Sequence, residues 1–450
     1  MKRVAAKLDA VVWVGVLLVV ILAPTQYSFE LHGIHLSAVD PVIWIVAALG
    51  VLAWLMGGAS KDQRREDRDC GEDGRREDSG GAGVGKHNDG HAEKKARRSE
   101  TKSDPPTPSL YGGVLAPATP LVFFALVALS VVRAAHQMSA IKDVVQYVEY
   151  FLVGYLLFRN AAASQARARV LVLCFLTVAT AVLAIGVFHY FSPGTDDFLV
   201  RATFRNRNVF GGFLALSLPL AFGLLLYDRC TWRRIWYGLL VVAGLLTTLS
   251  LATMIALVGV CALMAVSSAE RSFLAYAGAV ILIFVFVLDF LPRDNPAILR
   301  DSIAFFDVGR RVEPDQRYPE WQAAFKMAQD HPWLGVGVNN YQENVGQYYG
   351  VLPSAATKTE PDSQNLYLVL ASSVGLPGLL AFLGVLGIFL SRALRGVAAD
   401  NAWQKGVALG AAGAIAAFAI NAFWAPLIVR GIGLPLVLVL VFADLTVNRE

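Results

Sequence analysis

The stretch DSQNLYLVLASSVGLPGLLAFLGVLGIFL runs from Asp362 to Leu390 and contains no charged residue after Asp362. An uncharged apolar run of about 20 residues spans the hydrocarbon core of a bilayer as an α-helix. The polar residues from Asp362 to Asn365 therefore precede what the sequence predicts to be a membrane helix. They form either a helix cap or the edge of a functional site.

Similar runs recur along the chain, which has 450 residues, 56% of them hydrophobic and 16% charged, with a mean hydropathy of +0.51. Soluble domains are about 25% charged, so the composition excludes an ordinary soluble protein. The runs are continuously apolar, whereas strands of a membrane β-barrel alternate in polarity. The sequence predicts an all-α, polytopic membrane protein with about twelve transmembrane helices, at roughly 10–29, 41–58, 119–136, 141–158, 169–191, 208–227, 235–249, 252–268, 273–291, 367–391, 403–425 and 431–447.

Lysine and arginine are concentrated in alternate short loops, and this bias marks the cytoplasmic side of a membrane protein. The pattern places both termini in the cytoplasm and favours an uncleaved first span at Val11–Ala23 over a signal peptide. The basic loop residues are Arg159, Arg167, Arg169, Arg229, Arg233, Arg234, Arg271, Arg392, Arg395 and Lys405.

Two hydrophilic segments divide the chain into five parts. Residues 60–110 are charged and rich in glycine, so we expect a disordered cytoplasmic loop between helices one and two (1–59) and helices three to nine (111–291). Residues 292–364 are rich in aromatic side chains and predict a large structured periplasmic loop, followed by helices ten to twelve (365–450).

The periplasmic loop contains EWQAAFKMAQ (Glu320–Gln329), which predicts an amphipathic helix. DHPWLGVGVNNY then ends that helix and supplies glycine turns. Trp321 and Tyr341 either stack on a ligand or pack inside the loop, and a core role is favoured for Trp321. The predicted buried face of the helix consists of Trp321, Ala324, Phe325 and Ala328.

Arginine and asparagine crowd the segment RATFRNRNVFGG, which begins at Arg201 on the predicted outer side. Guanidinium groups match phosphate oxygens in geometry, so Arg201 and Arg205, with Asn208, indicate an anionic ligand. Contact with lipid phosphates or loop carboxylates is the alternative. A second set of candidate anion-binding arginines lies in VGRRVEPDQRYPEW and consists of Arg310, Arg311 and Arg317. An ordinary salt-bridged loop is the alternative for this set.

The polar residues before the apolar run have a partial explanation as a cap. Asp362 or Ser363 can accept a hydrogen bond from the first free N–H groups of a helix that starts near Gln364. A cap does not explain Gln364 together with Asn365. We therefore expect a functional site at this position.

Other ligand classes receive no support from the sequence. A net charge of +4 is too small to indicate a nucleic-acid partner. The four cysteines are far apart and give neither a metal-binding spacing nor a disulfide framework. We expect no metal and no cofactor.

Three segments, in this order and spacing, resemble the O-antigen ligase and O-antigen polymerase superfamily. They are RATFRNRNVFGGFLALSLPLAFGLLL, RYPEWQAAFKMAQDHPWLGVGVNNY and DSQNLYLVLASSVGLPGLLAFLGVLGIFL, and the resemblance covers about residues 170–395. The most specific part is the string R-x3-W-x5-M-x2-D-H-P-x-L-G-V-G that starts at Arg317.

The resemblance implies about twelve spans, a large periplasmic loop and a site open to the periplasm. It also implies an inverting, metal-independent transfer of a polyprenyl-diphosphate-linked glycan to a hydroxyl, on a lipid-linked glycan, a growing polysaccharide or a protein. Arg317 matches the loop arginine that contacts the diphosphate. Asn208 and its arginine neighbours match the polar motif that opens the sixth span.

Two positions depart from the family pattern. Leu251 stands where an arginine is usual, and Gln364 stands where the ligases carry a catalytic histidine. Glutamine cannot act as a base at neutral pH, but its amide oxygen can orient a hydroxyl. Because polymerases vary more than ligases at these positions, we favour a polymerase.

The sequence thus predicts a glycan polymerase or ligase of the bacterial inner membrane that builds surface polysaccharide. Arg317, with Arg201 or Arg205, would neutralise the diphosphate, while Gln364, Asn365 and Asp362 would orient the acceptor. An anion (bicarbonate-like) transporter and a catalytically inactive family member are the alternatives. No internal repeat is evident and the polar groups gather at one face, which favours the enzyme over a transporter.

Overall fold

The computed structural model describes residues 2–25, 28–31, 34–53, 110–191, 202–204, 207–247, 257, 260–261, 264, 314–348, 363, 365–425, 427 and 432–445. Within these ranges the chain is mostly helical, as the sequence predicts. Helices α4 and α5 are joined by a π-helical segment, Val148–Gly154. The helices are α1 Lys2–Leu22, α2 Asp40–Ala53, α3 Leu110–Ser130, α4 Gln137–Tyr147, α5 Tyr155–Ala161, α6 Gln165–Phe191, α7 Arg207–Tyr227, α8 Thr231–Thr247, α9 Pro314–Asp330, α10 Tyr341–Val345, α11 Leu366–Gly396, α12 Ala402–Asn421 and α13 Gly433–Leu445.

Four of the described helices are long and apolar enough to cross a membrane. They are Gln165–Phe188, Asn208–Tyr227, Leu366–Gly396 and Ala402–Asn421. Shorter apolar helices lie at three other predicted spans. The count of twelve spans stays a prediction, because the predicted spans 252–268 and 273–291 lie almost wholly outside the described residues. The predicted loop segments 60–110 and 292–313 also lie mostly outside them.

A small hairpin is a departure from the purely helical prediction. Strand β1, Ser28–Leu31, pairs antiparallel with β2, Ile34–Ser37, so that Phe29 lies opposite Leu36. Helix α1 stops at Leu22, shortly before Pro24, which cannot donate a helical hydrogen bond. The first predicted span extended to residue 29 and was too long at this end.

Helices α7 and α12 form the closest helix pair in the described part of the chain. They run antiparallel, and a Cβ atom placed on Gly223 of α7 would overlap the carbonyl oxygen of Gly406 and the backbone of Gly410. Small residues four apart let two membrane helices approach this closely. The 18-residue apolar window of α7 is 100% buried, so α7 is the central helix of this region.

Ion pairs gather at the helix ends that the sequence assigns to the cytoplasm. Asp444 of α13 is 2% exposed and pairs with Arg392 of α11 and Arg159 of α5. Arg233 pairs with Asp228, with 2.9 Å between Nε and Oδ2. A buried carboxylate needs such partners, because an isolated charge in a low-dielectric interior is costly. Several of the predicted cytoplasmic arginines thus also hold helices together.

The α7–α12 contact gives a stability prediction. Gly223→Ala should lower the apparent melting temperature of the detergent-solubilised protein, because the added methyl group forces the two helices apart at a cost of about 1–3 kcal/mol. Gly387→Ala is the matched control, since a Cβ atom there meets nothing within 4 Å. Equal melting temperatures for the two variants would contradict the close packing.

Candidate functional site

Asn365 caps helix α11. Its Oδ1 accepts hydrogen bonds from the backbone N–H groups of Tyr367 and Leu368 at 3.0 and 3.1 Å, and its backbone is extended as a cap requires. The expectation that Asp362 or Ser363 caps a helix starting near Gln364 was therefore wrong. Asparagine two residues further on satisfies the free N–H groups, and the helix begins at Leu366. The cap uses Oδ1 of Asn365 and leaves its Nδ2 group as a donor.

Ser363 connects this cap to the outer loop. It is 0% exposed, and its carbonyl oxygen accepts a hydrogen bond from the indole N–H of Trp321 at 2.8 Å. The Ser363 hydroxyl also lies 3.3 Å from the carbonyl oxygen of Asn365. Helix α9, which carries Trp321, is therefore docked beside the first residue of the polar stretch that the structure describes.

The contact between α9 and α11 has a small apolar core of its own. Ala323, Ala324 and Met327 of α9 pack with Tyr341 and Val345 of α10, and two α11 side chains, Leu368 and Val369, cover them. Tyr341 is 5% exposed, which makes it a core residue of the docked loop.

Helix α9 confirms the amphipathic helix predicted at Glu320–Gln329 but not all of its buried face. Ala324 and Ala328 are buried as predicted and Trp321 is half-buried, whereas Phe325 is 56% exposed. The buried stripe follows Ala323, Ala324, Met327 and Ala328, with the spacing of one helix face. The predicted face had the right spacing but the wrong orientation at Phe325, because the buried stripe is rotated toward Ala323 and Met327.

The glycines after α9 join the loop to a kink in α11. Gly335 and Gly337 have positive φ values of 64° and 98°, and the kink lies at Gly375, where φ is 86°. Glycine adopts such values without steric cost. The N–H groups of Val336 and Gly337 donate to Ser372 and Ser373 carbonyls at 2.8 and 3.0 Å. These bonds use carbonyl groups that the kink frees.

The far side of the loop rests on the connection between α3 and α4. Asn340 accepts a hydrogen bond from the His136 backbone at 3.0 Å, and the imidazole of His136 lies 3.2 Å from the Glu343 carboxylate. The Asn339 amide donates to the Ser139 hydroxyl at 2.8 Å. The loop is thus fixed to two separate helical elements.

The end of α12 meets the start of α11. The Leu366 N–H donates to the carbonyl of Ala422 at 2.9 Å, and the Tyr367 hydroxyl donates to that of Ala419 at 2.6 Å. Between them lies Asn421, which is 1% exposed and whose Nδ2 has no hydrogen-bond partner among the described residues.

The position of Asn421 along α7 follows from two contacts, because α7 and α12 run antiparallel. Gly413 of α12 meets Pro219 of α7, and Leu427, just beyond α12, meets Gly212. Asn421 falls between these two contacts and is therefore level with the part of α7 between Gly212 and Pro219, about one helical turn or more from Asn208. We did not single out Asn421 in the sequence. The available signal was one amide at the end of an otherwise apolar helix, AAGAIAAFAIN.

The predicted site residues divide into two groups. Asn365, Trp321 and Tyr341 come together around the start of α11, and Arg317 lies in α9 four residues before Trp321. Asn208 lies in the first turn of α7. The other predicted site residues lie outside the described residues: Arg201, Arg205, Arg310, Arg311, Asp362 and Gln364, together with the departing position Leu251.

One family comparison matches the part of the chain that contains the contact between α9 and α11. A family model described as O-Antigen ligase matches residues 236–383, which include α9, the Trp321–Ser363 contact and the kinked part of α11. The resemblance found in the sequence is confirmed over this stretch, which is narrower than 170–395. No curated protein matches the chain. The chain therefore combines helices apolar enough to cross a membrane with a stretch, residues 236–383, that is similar to O-antigen ligases.

The docking of α9 gives a second prediction. Trp321→Phe keeps an aromatic ring but leaves the buried Ser363 carbonyl without its donor, at a cost of about 1–3 kcal/mol. We expect faster amide hydrogen exchange in residues 314–330 of this variant. Trp333→Phe, at a position 76% exposed, is the control and should exchange like the wild type. If both variants exchange alike, the indole hydrogen bond does not hold the helix.

Proposed function

We propose that this protein of the O-antigen ligase type is a membrane glycan polymerase or ligase. It would transfer a polyprenyl-diphosphate-linked oligosaccharide to a hydroxyl acceptor at the periplasmic face of the bacterial inner membrane. The hydrogen bond between the Trp321 indole and the Ser363 carbonyl carries this proposal. It supports a single site because Arg317 precedes Trp321 by about one helical turn and Gln364 follows Ser363 directly.

The donor half of the site is proposed to bind the diphosphate through arginines. Arg317 would neutralise the departing diphosphate, because a guanidinium group pairs with two phosphate oxygens at once. Arg201 or Arg205 would supply a second positive charge, and Arg310 and Arg311 would add to it. The segment between Arg201 and Arg205 lies at the predicted outer face, where the Thr203 hydroxyl donates to the Pro24 carbonyl at 3.0 Å.

The acceptor half is proposed to orient a sugar hydroxyl through amide groups. The amide oxygen of Gln364 would accept a hydrogen bond from the acceptor hydroxyl. Nδ2 of Asn365 would donate a hydrogen bond to a neighbouring oxygen, and Asp362 would be a further acceptor. The hydroxyl oxygen then bonds to the anomeric carbon as the bond to the diphosphate oxygen breaks, with inversion. The lipid diphosphate leaves and the hydroxyl proton passes to water. In the absence of a general base, the rate enhancement would come from holding the acceptor hydroxyl in the reactive position.

Asn421 is proposed as a third amide of this site. A buried amide group without a hydrogen-bond partner costs about 1–3 kcal/mol, and a ligand oxygen would remove that cost. The residues on either side of Asn421 accept hydrogen bonds from Leu366 and Tyr367 at the start of α11, so Asn421 lies beside the proposed acceptor half. We infer that its Nδ2 donates to an oxygen of the bound glycan diphosphate.

An assay with purified protein and a lipid-diphosphate oligosaccharide tests the proposal. Arg317→Ala should lower the transfer rate about 100-fold or more, since the removal of one donor to a developing oxyanion typically costs that much. Asn421→Ala should lower it about tenfold, as expected for a neutral hydrogen bond of about 1.4 kcal/mol. The readout is the length and amount of glycan product.

Lys326→Ala is the matched control, because Lys326 is an exposed cation on the same helix. It should transfer glycan like the wild type. In cells, Arg317→Ala should shorten or remove surface polysaccharide at equal expression. Wild-type protein that forms no product, or an Arg317→Ala variant with unchanged polysaccharide, would overturn the proposal in favour of an inactive relative or a transporter.

A further inference from the structure

A second cluster of polar groups lies away from the candidate site, where α4 continues into the π-helical segment Val148–Gly154. A π-helix adds a residue to the turn, and such segments often occur at functional sites. Glu149 and Tyr150 lie in this segment and are 4% and 5% exposed. Tyr150 also packs against Gly433 at the start of α13. An ionisable residue buried in a membrane helix requires a partner or a purpose.

Asp40, at the start of α2, has donors for both of its carboxylate oxygens. The Tyr150 hydroxyl donates to Oδ1 at 2.8 Å, and the Ser37 N–H donates to Oδ2 at 2.8 Å. The Gln146 amide in turn donates to the Tyr150 hydroxyl at 3.0 Å. Hydrogen bonds of this kind favour the charged form of a carboxylate. Both carboxylate oxygens of Asp40 are therefore satisfied as acceptors.

Glu149 is held against the same helix, α2, because its carboxylate accepts a hydrogen bond from Trp44. Its Oε1 is buried and has no hydrogen-bond partner within the part of the chain that the structure describes. The titratable groups acting on it are Asp40 from α2 and Tyr150 from its own segment. On α13, which packs against the segment, the described acidic group is Asp444, which is paired with arginines. None of the ion pairs found in the described residues involves Glu149 or Asp40.

Two buried carboxylates next to each other cannot both be ionised at ordinary cost, because they repel and neither is paired with a cation. A proton on Oε1 of Glu149 removes the repulsion. We propose that Glu149 and Asp40 form a buried proton-binding site, in which Glu149 carries an exchangeable proton and Asp40 carries the charge. The proton is released as Glu149 becomes a carboxylate. The site lies apart from the residues proposed for glycan transfer and does not depend on that function.

Infrared difference spectroscopy of the full-length protein across a pH series tests the proposal. The wild type should show the carbonyl band of a protonated carboxyl group at neutral pH, and Glu149→Gln should lose that band. Asp9→Asn is the control, because Asp9 is exposed and paired with Arg167. It should leave the band unchanged.

Asp40→Asn tests the pair while keeping Glu149. Without the neighbouring negative charge Glu149 ionises more easily, so its band should disappear at a pH lower by about one unit or more. A band identical in wild type and Glu149→Gln would overturn the proposal. Loss of the band when sodium is added at fixed pH would also overturn it, because the site would then bind a metal cation.

Discussion

The hydrogen bond between the Trp321 indole and the Ser363 carbonyl joins residues that are 42 positions apart in the chain. The candidate site depends on this contact, because Arg317, proposed to bind the diphosphate, precedes Trp321 by four residues in the chain and Gln364, proposed to orient the acceptor, directly follows Ser363. Backbone hydrogen bonds from the glycine turns to the kink of α11 support the contact from one side. The contacts with His136 and Ser139 at the start of α4 support it from the other side. The described part of the outer loop is thus held against the membrane helices, where it would form one side of the proposed site.

The membrane helices would supply the other side of the proposed site through close packing. Glycines at positions 223, 406 and 410 bring α7 and α12 together, and this places Asn421 level with the part of α7 between Gly212 and Pro219. The burial of the Asn421 amide matters because an unpaired donor in an apolar interior costs free energy. A ligand oxygen that accepts its hydrogen bond would remove that cost. The arrangement gathers amides at one end of the bundle, whereas the described arginine–aspartate pairs gather at the other end.

Composition and apolar runs predict the helices well, because helices in lipid must satisfy their own backbone groups. The site was harder to predict. The sequence placed the cap at Asp362 or Ser363, but the choice among neighbouring polar residues depends on which one faces the free N–H groups. Phe325 was assigned to the buried face by helical spacing, although the face that packs is rotated toward Ala323 and Met327. The sequence shows Asn421 as one amide in an apolar helix, but its burial beside the start of α11 depends on tertiary packing.

A double-mutant cycle on the rate of glycan transfer tests most directly whether the docked helix serves to position Arg317. The rates of Trp321→Phe, Arg317→Ala and the double variant would be compared with that of the wild type. If the indole hydrogen bond acts by holding Arg317 in place, Trp321→Phe should slow the wild type but add almost nothing to Arg317→Ala. Additive losses would contradict the account, because they would show that the two residues act independently.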